Sequence, residues 1–148
     1  MTQPQPAPGP ASGEFFAGWM RKYQDAEEDY RLPLRRLPEA RDELATAKDI
    51  LDRIKAEIVM NGGTTAYPID GKNEAQRAAQ LLVACEGTPA FLDARDRVRE
   101  KENLLQKLSG EMQENEHAMR AARLALEYAT GWLYHKAAVE GGKHAREQ

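Results

Sequence analysis

Between Phe91 and Leu133 the chain repeats one pattern, stepping alternately three and four residues: Phe91, Ala94, Val98, Lys101, Leu105, Leu108, Met112, Asn115, Met119, Ala122, Leu126, Ala129, Leu133. A heptad period of this kind, unbroken by proline, builds a long helix with one apolar seam. Such a seam must be buried against another helix, so the rest of the chain is constrained to supply one. Lys101 and Asn115 are its two polar interruptions. Two readings stand for each: they fix register at a cost in stability, or Lys101 snorkels to water and Asn115 sits at a wet gap.

The partner lies upstream. From Glu14 to about Arg31 the pattern is Phe16, Trp19, Tyr23, Ala26, Tyr30, and from Leu37 to Met60 it is Leu37, Ala40, Leu44, Ala47, Leu51, Ile54, Ile58. Pro33 and Pro38 stand between, each lacking an amide donor and disfavouring helix in the residue before it. Residues 16, 23, 30, 37, 44, 51 and 58 nevertheless form one heptad series through the prolines, which predicts one kinked arm. Two helices that share a face are the alternative.

At 1.5 Å per residue, arms 14–60 and 88–138 would measure about 70 and about 75 Å, a match for antiparallel folding. That pairing gathers Phe15, Phe16, Trp19, Tyr23, Tyr30, Tyr128, Trp132 and Tyr134 at one end, eight of the ten aromatics. Ring contacts there are expected to supply most of the stability.

The tip between the arms, 61–87, is rich in turns. Asn61-Gly62-Gly63 closes the first arm through left-handed conformations. TTAYPID follows, with a turn at Asp70-Gly71. Asn73 caps a short helix to about Glu86, with Gln76 at the reciprocal capping position. Gly87 stops it, Thr88 caps the long helix and Pro89 takes its first turn. Ser12 is the expected cap of the first arm, in a Pro- and Gly-rich disordered tail, 1–13. Gly141-Gly142 is expected to end the long helix near Ala138 and leave 141–148 as a flexible tail. The expectation is therefore an all-α fold, an antiparallel coiled-coil hairpin (a single domain, 14–140) with a short helix in its tip.

Composition narrows the function classes. Of 148 residues 7% are aromatic and 30% charged, which suits elongated helices better than a thick globular core. The net charge of −3, from 21 basic and 24 acidic side chains, lacks the basic surplus of a duplex-binding protein. One cysteine, Cys85, gives no internal disulfide framework and fits a reducing cytoplasm. No apolar run approaches a membrane span, and the start of the chain does not read as a secretory leader. His117, His135 and His144 lack ligand spacing, and no catalytic or nucleotide-binding motif is present, so neither a metal, a cofactor nor catalysis is expected.

Two features remain as candidate sites. The first is a second stripe on the long helix, Ala118, Ala121, Ala125, Tyr128 and Trp132. Two apolar faces exceed what a two-helix hairpin buries. Either the stripe, with Trp19, is an oligomer or partner interface, or segment 14–31 folds sideways over it. The second is the tip, where Tyr67, Asp70, Lys72, Asn73 and Arg77 could contact a partner or a phosphate, aided by the helix amides after Asn73. A structural cap joining the arms is its alternative. Gly71-Lys72-Asn73 is not a P-loop, because the upstream glycine is missing and Asn73 replaces the hydroxyl residue. The arginine runs 31–36 and 95–99 fall at different heights in the hairpin and read as interhelical ion-pair partners, with weak contact to a phosphate backbone as the alternative.

On Gly71, Lys72, Asn73 and Arg77, with their flanking heptads, the segment from about Leu44 to Glu127 resembles small coiled-coil proteins encoded by bacteriophages and prophages. Most of these have no assigned activity, and some lie among phage recombination genes. The resemblance implies a phage or mobile-element origin; the tail and segment 14–37 fall outside it. The expected function is a non-enzymatic, oligomeric protein-binding or structural role in the cytoplasm. The alternative is an accessory nucleic-acid-binding protein in recombination or single-strand annealing.

Overall fold

The computed structural model describes residues 13–147, so Ser12 and the Pro-rich tail before it lie outside the described residues. Three helices follow one another: α1 Gly13–Met60, α2 Glu74–Glu86 and α3 Pro89–Glu147. The fold is an all-α hairpin in which α1 and α3 pack antiparallel. By compactness the chain forms two units, residues 35–109 and the residues before 35 together with those after 109.

α1 is a single helix that includes both prolines, so the one-arm reading holds over the two-helix alternative, and residues 14–31 do not fold back. The reason is positional. Ala26, Pro33, Ala40 and Ala47 are spaced by seven and all are buried, so Pro33 occupies a seam position where a small, compact side chain is needed. Each proline forfeits one backbone bond, and burial along the seam offsets that loss.

A departure from expectation concerns the core. Its buried apolar residues include seven alanines: Ala26, Ala40, Ala47, Ala84, Ala94, Ala122 and Ala129. The α3 aromatics stay outside, while Phe15, Trp19, Tyr23 and Tyr30 of α1 are half-buried. Tyr128 is 62% exposed, Trp132 43% and Tyr134 75%. The ring pairs present are local, Phe15 with Trp19 at 6.3 Å and Trp132 with His135 at 6.2 Å, each within one helix. The expected aromatic clamp between the helices is therefore absent among the described residues, and small side chains that permit close approach replace it.

Register explains the exposure of Tyr134; Tyr128 and Trp132 are level with α1 and are exposed because they lie on another face of α3. Tyr30 donates its hydroxyl to Glu116 Oε1 at 3.3 Å, so in an antiparallel pair Gly13, seventeen residues before Tyr30, comes level with about residue 133. From Leu133 to Gly142 every residue is exposed. α3 also runs through Gly141-Gly142 to Glu147 rather than ending near Ala138. The two glycines cost about 1 kcal/mol each relative to alanine, which is not enough to end the helix here.

In the 35–109 unit the seam is tied by Lys101, whose Nζ lies 2.8 Å from Glu43 Oε2, and by Lys48 and Glu102 at 3.9 Å. Lys101 thus reaches a carboxylate on the facing helix, which serves register. The Glu43 hydrogen bond, then its charge, holds the Lys101 ammonium above the usual lysine range. A raised lysine pKa stabilises the fold fully below the ordinary lysine value, and that contribution is lost as pH rises through the raised one. Glu43→Gln is expected to return the Lys101 titration, followed by NMR, towards the ordinary value. It should also lower the melting temperature slightly at neutral pH, and the difference should close in molar salt and in strong alkali. An unchanged titration would show that the pair is mere proximity.

Candidate functional site

The tip is assembled from its own polar groups. Gly62 and Gly63 take positive φ, +68° and +91°, and turn the chain into a tight loop bridged between Gly63 and Pro68. Within it the Thr64 amide donates to Tyr67 O at 3.0 Å, and the Tyr67 amide donates back at 3.2 Å. Below this loop Ile58, Ala84 and Cys85 form a small core, with Ile54, Ile69, Leu81 and Phe91 packed against it. Burial pushes the Cys85 thiol above its ordinary pKa, and Lys55 offsets this in part.

Each predicted tip residue except Lys72 has a structural task. The amides of Asp70 and Gly71 donate to Gln80 Oε1 at 3.0 and 2.7 Å, and Gln80 Nε2 returns a bond to Asp70 Oδ1 at 2.9 Å. Asn73 Oδ1 accepts from the Gln76 amide at 2.8 Å, as a helix N-cap does. Gln76 reaches one residue further back than the reciprocal box requires, accepting from the Lys72 amide at 3.0 Å. Arg77 Nη1 donates to Gly71 O at 3.3 Å. Tyr67 lays its ring on Gly87, where a Cβ would lie 2.6 Å from Tyr67 Cδ2. Thr88 donates its hydroxyl backwards to Ala84 O at 2.7 Å instead of capping α3 forwards. Gln80, the hub of this network, was not among the residues singled out from sequence; a lone glutamine in a helix carries no signal for such a role.

Beside the tip network, Met60, Leu82 and Val83 are exposed, and a shallow hollow lies between the Tyr67-Pro68 turn and Val83. A larger hollow of about 640 Å³ in the same unit is lined by Arg35, Glu39, Asp42, Glu43, Arg97 and Lys101, among others. Its lining includes one arginine from each run, Arg35 and Arg97, which stand at different heights: the Glu43–Lys101 pair sets Arg97 level with about residue 47 of α1, twelve residues from Arg35. The α1 carboxylates on the same wall make it a mixed-charge flank, not a single-signed site. Among the described residues no cluster of His, Cys, Asp or Glu could hold a metal. No described helix is long and apolar enough to cross a membrane.

The stripe on α3 has a different character. Ala118, Ala121, Tyr128 and Trp132 are exposed and Ala125 is half-buried. The same three-four spacing continues to His135 and Val139, also exposed, with Leu124 exposed at its edge. Sequence reading stopped at Trp132, although the spacing itself carries the series two positions further. The stripe is shifted by one residue from the intrachain seam, about 100° of helix rotation. It therefore lies beside the α1 contact and is not covered by it. Trp19, proposed as part of the same interface, is half-buried on α1, with Lys22 Nζ 4.2 Å from its ring centre. Comparison with protein-family models, with curated proteins and with solved structures finds no match.

Proposed function

We propose that this chain is a non-enzymatic helical protein-binding module, and that the second apolar face of α3 is its contact surface. One observation carries the reading. Tyr128 and Trp132 remain 62% and 43% exposed on a face with heptad spacing, beside a seam that is already satisfied. Contiguous apolar surface of this kind marks interaction sites, and exposed aromatics supply much of the energy of protein interfaces. The tip turns most of its polar groups on itself, so it offers less support for a nucleic-acid contact. A cytoplasmic setting and a phage or mobile-element origin belong to the same proposal; the first rests on the lone buried thiol, the second on the resemblance around Gly71-Lys72-Asn73.

The test is photo-crosslinking in cells of the source organism. A photoreactive amino acid is placed at Tyr128 or, as control, at the exposed Arg123. Protein adducts are expected from position 128 and not from position 123. Adducts from neither position, or from both alike, would remove the face as a specific binding surface. Adducts that are nucleic acid would replace the protein partner with the alternative.

A further inference from the structure

The exposed face of α3 is complementary to itself when reversed. Read in heptads, Ala118, Ala125, Trp132 and Val139 occupy one position and Ala121, Tyr128 and His135 the other. The N-terminal half of the face carries the small residues and the C-terminal half the large ones. In an antiparallel pair of identical helices, each residue of one position packs in a layer with one of the other position on the second copy. A single register places every alanine opposite a ring: Ala118 with His135, Ala121 with Trp132, and Ala125 with Tyr128. The twofold axis then falls between Leu126 and Glu127. On one flank the exposed Leu124 comes next to Gly131, around whose Cβ position there is open space. A parallel pairing would stack alanine on alanine and Trp132 on Trp132, leaving gaps at one end and crowding at the other.

We infer that a second copy of this chain docks antiparallel on the 118–139 face of α3, forming these three alanine–ring layers. The inference rests on the proposed role of this face and names its occupant. One further observation supports it, and a second sets its strength. The one-residue offset from the intrachain seam puts α1 to the side of the new contact, so two hairpins make a four-helix bundle without obstruction. In this register the face overlaps itself over 118–135, about 26 Å at 1.5 Å per residue. A width of roughly 15 Å then gives about 400 Å² per copy and about 800 Å² for the pair, the size of weak, transient interfaces. The association is therefore expected to be weak and reversible.

Sedimentation velocity of the full chain from micromolar to millimolar concentration tests the association, and cysteine pairs test the register. The chain carrying Ala118→Cys and His135→Cys should form an interchain disulfide under mild oxidation. Ala118→Cys alone should not, because antiparallel pairing holds the two copies of residue 118 about 25 Å apart along the axis. The unaltered chain, with its buried Cys85, is the control. Ala121→Trp should weaken the dimer at least tenfold by setting tryptophan against tryptophan, and adding Trp132→Ala should restore it. These positions are exposed, and unchanged far-ultraviolet circular dichroism verifies the fold. A chain that stays monomeric to millimolar concentration, a 118–118 disulfide from the single variant, or no rescue by the swap would overturn the inference. If it fails while position 128 still yields adducts with another protein, the face remains a binding surface with a different occupant. If both fail, both readings fall.

Discussion

Ala122→Leu is expected to destabilise the hairpin by about 2–3 kcal/mol, the upper range for overpacking a well-packed core. Ala122 and Ala129 are both fully buried, and Ala26 of α1 is buried in the same unit. Three methyl-sized side chains set the separation of the helices there. A leucine adds three carbons at a position whose methyl is already completely buried. The pair must spread, which costs dispersion contacts along the seam. Urea unfolding should show a lower midpoint at an unchanged slope, the signature of altered stability without altered compactness. The control is Ala137→Leu on an exposed turn of the same helix, where a shift within about 0.5 kcal/mol is expected. Equal effects at the two positions would show that the alanine seam is not closely packed.

Gly63→Ala should cost about 3 kcal/mol, and Gly62→Ala only about 1 kcal/mol. Both glycines have positive φ, +68° at Gly62 and +91° at Gly63, so an L side chain strains either one. Only Gly63 is also crowded. A Cβ there would collide with the Tyr67 carbonyl oxygen and come 2.8 Å from the Ile69 amide nitrogen, whereas at Gly62 nothing lies within 4 Å. Backbone atoms cannot swing aside as a side chain does. The Gly63 variant must therefore break the Gly63–Pro68 bridge and loosen Ile69 over the Ile58, Ala84 and Cys85 core. Thermal unfolding measures the difference. Hydrogen exchange at the Thr64 and Tyr67 amides should show it as local opening of the loop, and equal losses at the two glycines would refute the argument.

The heptad spacing alone determined most of the fold. It placed the buried Ala94, Val98, Leu108, Ala122 and Ala129 on one face of α3, and the buried Ala40, Ala47 and Ile58 on one face of α1. This is legible because burial along a helix depends on period, and period is a property of sequence. Asn73 with Gln76, and the glycines after Asn61, were legible for a similar reason, since local hydrogen bonding and left-handed φ are decided within a few residues.

What the sequence could not decide was set by distance and phase between segments. Whether Pro33 breaks a helix depends on whether its ring has a seam to fill. Whether eight aromatics form a clamp depends on which face each presents and on where α1 begins, and the helices meet through alanine instead. Whether Asp70, Asn73 and Arg77 are free to bind depends on Gln76, Gln80 and Gly71 lying within hydrogen-bond reach. The second stripe was visible as a pattern. Only the packed hairpin settled that α1, one continuous helix, leaves Tyr128 and Trp132 open to solvent. A helix can turn only one side towards a single partner, so the second apolar face of α3 stays open to solvent.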